Sequence, residues 1–142
     1  MIYKATKLIA QALEQENIHP EVNDLEKFSE VNVGYEITNG PAIEMRFMSA
    51  NDNNDTTAYI FRLIRDIPEE KEYVMQKAIN ECNAKFSYAK FSLDKDRDIN
   101  IKYDFPQCTA DDCLGDIACE ICYRLFSIAD KSYPILMKAL WS

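Results

Sequence analysis

Glycine is scarce in this chain. Three glycines in 142 residues leave neither a GxGxxG nor a GxxxxGK stretch, so a glycine-rich phosphate loop is excluded. Histidine is scarcer still. His19 stands alone beside Pro20, so a multi-histidine metal site has no material to draw on, and a catalytic triad would have to use this one loop histidine, with which nothing in the sequence pairs. No apolar run approaches the length that crosses a bilayer, so no membrane partner is expected. The opening stretch Met1 to Lys7 lacks the apolar core and cleavage site of a signal peptide, which points to a cytoplasmic protein. Basic residues are also few: 16 against 24 acidic, for a net charge of -8. That balance favours solubility and disfavours binding to a phosphate backbone, so nucleic acid is not an expected partner.

What is present is enough apolar material for a core. Hydrophobic residues make up 47% of the chain, and no repeat or low-complexity linker interrupts it. One domain spanning 1–142 follows. Ile2, Ala5, Ile9, Ala12 and Leu13 recur at helical spacing and predict a first helix from about Tyr3 to Glu16, ended by Asn17-Ile18-His19-Pro20. The period then changes to two. Val31, Val33, Tyr35 and Ile37 alternate with polar residues, Asn39-Gly40-Pro41 marks a turn, and Ile43, Met45 and Phe47 alternate again. A further turn at Asn51 to Asp55 leads to a third strand, Thr57 to Ile64. Pro68-Glu69-Glu70 starts a helix whose apolar face is Met75, Ala78, Ile79 and Cys82. Phe86 to Leu93 and Asp98 to Phe105 predict a second hairpin around Asp94-Lys95-Asp96-Arg97. Thr109, followed by Asp111 and Asp112, suits the start of a last helix carrying Leu114, Ile117, Ala118, Ile121, Leu125 and Ile128. Pro134 should end or kink that helix, and the apolar tail from Tyr133 to Trp141 should dock back onto the domain. The expected architecture is α+β, in the order α-β-β-β-α-β-β-α. A five-stranded antiparallel sheet carries the first and last helices on one face.

Candidates for chemistry are few. The five cysteines, Cys82, Cys108, Cys113, Cys119 and Cys122, are an odd number and read best as reduced thiols. Cys119-Glu120-Ile121-Cys122 is a CxxC, but it falls in mid-helix, away from the helix N-terminus that lowers a redox thiol's pKa. Zinc could be drawn only from Cys108, Cys113, Cys119 and Cys122, which hold a single CxxC and span a helix. A thiol-based redox or metal sensor using Cys119 and Cys122 is the alternative reading; structural thiols are the first. Asp94, Asp96 and Asp98 begin like a calcium loop, but Ile99 stands where glycine is needed and Phe105 where glutamate is, so a hairpin turn is favoured. Glu69, Glu70 and Glu72 read as a charged helix start. No cofactor and no enzymatic activity are expected.

The remaining feature is surplus apolar surface. In the third strand Tyr59, Phe61 and Leu63 alternate with Ile60 and Ile64, so both faces carry large side chains. Met48 and Tyr88 add to the outward set. Met48, Tyr59, Phe61, Leu63 and Tyr88 thus make a candidate surface for a protein partner or a second copy.

The element order resembles the bacterial YbjN family, which shares the fold of type III secretion chaperones. Phe86-Ser87-Tyr88-Ala89-Lys90-Phe91-Ser92-Leu93-Asp94, leading into Asp98-Ile99-Asn100-Ile101, looks like that family's second hairpin. The ending Ile128 to Trp141 is similar to its final helix and tail. The resemblance covers most of the chain and implies a small, acidic, homodimeric binder of protein segments with a regulatory role and no catalytic residues. The cysteine-rich last helix departs from the family pattern. A non-enzymatic, protein-binding or chaperone-like module is the resulting expectation.

Overall fold

The computed structural model describes residues 1–51, 55–106 and 111–142. Among the described residues, three helices and six strands follow one another: α1 (Lys4–Gln15), β1 (Glu21–Asp24), β2 (Ser29–Glu36), β3 (Ala42–Ser49), β4 (Asp55–Ile64), α2 (Glu72–Lys85), β5 (Lys90–Leu93), β6 (Ile99–Pro106) and α3 (Asp111–Leu140). A single 3-10 turn, Glu69–Lys71, leads into α2. The fold is mixed α+β, as the periodicities imply, with one strand more than expected.

The strands form one antiparallel sheet in the order β1-β2-β3-β4-β6-β5. Alternation sets its two faces. Val31, Met45, Phe47, Ala58, Ile60, Ile99 and Ile101 point under the helices and are completely buried. Ile9 and Leu13 of α1 are equally buried and pack on this layer, each contributing about 1.5–3 kcal/mol through removal from water. Helix α3 lies against α1, α2 and β4. Gly115 sets how closely α1 and α3 approach: a Cβ there would lie 2.7 Å from the Ala12 Cβ and 3.2 Å from the Leu8 carbonyl oxygen.

Several expectations need correction. The additional strand β1 has one apolar side chain, Val22, and its Asn and Asp residues are poor strand formers. It exists because its backbone pairs with β2 from Glu21 opposite Asn32 to Asp24 opposite Ser29. Pro134 neither ends nor interrupts α3, which continues to Leu140. Leu136, just beyond it, is fully buried, so tertiary packing overrides the local cost of the missing N–H. The tail is therefore helical and docked at Leu136, while Trp141 is exposed. Strand β5 begins only at Lys90, because Tyr88 adopts a left-handed backbone (φ 67°). The expected cap Thr109 and the cysteine Cys108 lie outside the described residues, as does most of the turn at Asn51 to Asp55.

The largest correction concerns β4. Ile60 pairs with Ile101 and Ile64 with Ile99, so the three residues between Ile60 and Ile64 oppose Asn100 alone. This bulge shifts the alternation. Arg62, at its centre, has φ 59° and donates its backbone N–H to Asn100 Oδ1 at 2.8 Å. Leu63 consequently turns inward beside Ile60 and Ile64 and is 2% exposed. It joins the core, not the outward surface that simple alternation predicts.

Candidate functional site on the open sheet face

The face of the sheet away from the helices carries the residues that alternate with the core. Register places Asn32, Arg46, Tyr59 and Lys102 in one row across β2, β3, β4 and β6. The Tyr59 ring stacks on that of Phe61, with centroids 4.6 Å apart and planes 16° from parallel. The Arg46 guanidinium lies 5.5 Å from the Phe61 centroid, and Lys102 Nζ lies 5.9 Å from that of Tyr59. Two half-exposed aromatic rings thus sit between two cations, an arrangement that holds the rings in place while leaving them open to solvent. Met48, half-buried, stands one step along β3 from this row, opposite Thr57.

Charges on both sides of the aromatic pair are fixed by short networks. Arg46 Nε donates to Glu44 Oε1 at 3.0 Å, and its Nη1 is 4.0 Å from Glu30 Oε2. Glu30 is 4% exposed. Its Oε1 accepts from Asn23 and Asn32, both at 3.2 Å, but among the described residues Oε2 accepts no hydrogen bond, and neither does Asn32 Oδ1. Two buried acceptors without donors therefore lie beside Arg46. On the other side a cleft of about 700 Å³ opens between Arg46, Phe61 and Arg62 and the carboxylates of the β5–β6 turn. Arg62 Nε donates to Asp98 Oδ2 at 3.2 Å, and Asp98 Oδ1 accepts from the Asp66 N–H at 2.9 Å. Asp94 builds the turn itself. Its Oδ1 accepts from the N–H groups of Asp98 and Asp96 and its Oδ2 from Asn100. These bonds, that from Asp98 first, hold the Asp94 carboxyl below the ordinary carboxylate range. The three aspartates thus serve as a hairpin turn.

Of the five residues expected to form a partner surface, the structure brings Met48, Tyr59 and Phe61 to one face. Leu63 lies in the core. Tyr88 is 78% exposed but elsewhere: its ring approaches that of Tyr103, on the helix side of the sheet. Sequence reasoning missed Arg46 and Lys102, which look like ordinary charges until the register sets them beside the rings.

The cysteines lie away from this face. Cys119 and Cys122 are buried one turn apart in α3, and Cys82 is buried in α2, while Cys113 is exposed. Burial pushes the Cys122 thiol up to about 12 and raises that of Cys119, the opposite of what a reactive thiolate needs. Among the described residues no group of three His, Cys, Asp or Glu side chains is placed to hold a metal ion. No helix among them is long and apolar enough to cross a membrane. His19 is exposed, with Nδ1 3.6 Å from Glu14.

Compared with family models, with curated proteins and with solved structures, the chain matches none.

Proposed function

We propose that this chain is a non-enzymatic protein-binding module, chaperone-like and homodimeric in the bacterial cytosol, and that the open sheet face is its contact surface. The observation that carries the reading is the stacked pair Tyr59 and Phe61, held half-exposed between Arg46 and Lys102 with no helix among the described residues over it. Aromatic and arginine side chains dominate the energetics of protein interfaces. The face also carries both signs of charge: Arg46 and Lys102 flank the rings, and Asp94, Asp96 and Asp98 border the cleft that Arg46 and Phe61 line. The resemblance to YbjN proteins and secretion chaperones supports the same style of function. The raised thiols argue against the redox alternative.

Light scattering tests the proposal. The expected mass is that of two copies, falling to one when Tyr59→Asp and Phe61→Asp are combined, with the circular dichroism unchanged. A strict monomer that retains no protein in a pull-down would overturn it.

A further inference from the structure

Strand β1 covers only half of its neighbour. β2 runs from Ser29 to Glu36, but β1 takes its last partner at Asn32. Pro20, next along the chain, would stand opposite Val33, whose backbone groups point to β3, so it adds no bond to this edge. Asn17, at φ 62°, turns the chain away before that point. Among the described residues no strand therefore lies beside the outer edge of Val33 to Glu36.

Hydrogen bonding to β3 fixes the backbone direction along this edge. Ile37 donates its N–H to the Pro41 carbonyl at 3.1 Å, so Ile37, Tyr35 and Val33 direct their backbone groups to β3. The alternate residues, Gly34 and Glu36, direct theirs to the open edge. Thr38, next in that series, donates its N–H to Asp130 Oδ1 of α3 at 2.9 Å, as this direction requires. Beside the edge lies an apolar groove of about 340 Å³, walled by Ile18, Tyr35, Tyr123 and Phe126 with Ser127 at its rim. Tyr35 stacks on Phe126 at 4.3 Å and donates its hydroxyl to Asp130, which fixes that wall.

We infer that this edge is a strand-addition site for an extended, basic segment of a partner protein, which pairs with Gly34 and Glu36 and lays one apolar side chain in the groove. The pairing would satisfy backbone groups that now face water, and the groove would select the anchor. The surroundings fix the charge of the occupant. Glu36 lies on the edge itself, Glu21 at the end of β1, and Glu16 beside the Tyr123 hydroxyl; on the open-face side of Gly34, Arg46 and Arg62 are already paired with Glu44 and Asp98, and Arg65 lies beside them. A basic segment complements these carboxylates and the chain's net charge of -8. The site rests on the strand edge and its helix-side groove and goes beyond the function proposed for the open face, although Gly34 also borders a cleft that Arg46 and Phe61 line.

The test uses a short fluorescein-labelled peptide in which lysine alternates with valine around a central phenylalanine, followed by anisotropy. Gly34→Pro removes the outward N–H without touching the β3 ladder. Gly34→Val keeps that N–H, and its Cβ has open space around it, with nothing within 4 Å. Ser127→Trp fills the groove from an exposed position. Binding to the unaltered chain and to Gly34→Val is expected, with a loss of about tenfold or more in Gly34→Pro and in Ser127→Trp. Amide exchange at Gly34 and Glu36 should slow with peptide bound. A folded Gly34→Pro that binds as tightly as the unaltered chain would refute the site, as would a flat titration of the unaltered chain. A dimer that Gly34→Pro dissolves and peptide does not displace would assign the edge to a second copy and refute it too. Should Gly34→Pro fail to fold, unchanged affinity in Ser127→Trp refutes it equally. Tyr59→Ala, at a position outside the cleft beside Gly34, leaves peptide binding intact, so failure here is distinct from failure of the open-face proposal.

Discussion

Under the helices, Met45, Phe47, Ile60 and Ile101 have no contact with water. On the other side of the same strands, Arg46, Tyr59, Phe61 and Lys102 keep theirs. The two faces are one residue apart in sequence and differ in what holds them. The covered face is held by close packing against α1 and α3, where every methylene counts. The open face is held by register, which puts cations beside rings, and by local carboxylate networks. Stability therefore resides on one side of the sheet, and the other is free to be shaped for recognition.

Substitutions that separate the faces should differ several-fold in cost. Phe47→Ala empties a fully buried site and should cost about 3–5 kcal/mol in urea unfolding. Gly115→Leu forces α1 and α3 apart and should cost about 1–3 kcal/mol, read as a lower melting temperature. A cost near zero would mean that the two helices slide freely. Asp94→Ala, at the rim of the open face, removes the acceptor of two backbone N–H groups and should cost about 1 kcal/mol at neutral pH. Because the folded carboxyl lies below its ordinary value, this contribution is present above the unfolded pKa and is lost as pH falls through the folded one. The gap between Asp94→Ala and the parent should thus be constant from about pH 5 to 7 and close below about pH 4. Lys102→Met, on the open face proper, should change stability by about 0.5 kcal/mol or less, its exposed pairs with Asp104 and Tyr59 being weak. A larger loss there than at Asp94 would contradict the division between the faces.

Most of the covered face was legible in the sequence. The helical spacing of α1 and the period of two in β2, β3 and β6 each follow from which side chains need burial. What was hidden depended on the backbone. β1 carries one apolar side chain and is held by hydrogen bonds that no side-chain pattern records. The bulge in β4 has arginine at its left-handed position, where glycine would have announced it, so Leu63 was assigned to the wrong face. Pro134 was read by its local rule, which the burial of Leu136 overrides. Met48, Tyr59 and Phe61 were visible as an apolar surplus. Their companions Arg46 and Lys102 were not, since a charge on a wet face carries no signal until its cross-strand neighbours are known.

The sheet order has a consequence for how quickly the molecule assembles. β4 sits beside β6, and between them in the chain lie the whole of α2 and β5. The centre of the sheet therefore closes through distant encounters, whereas the β2–β3 and β5–β6 hairpins at its flanks close through short turns. The entropy of such a closure is lost before its contacts form, which places folding in the slower range for a domain of this size.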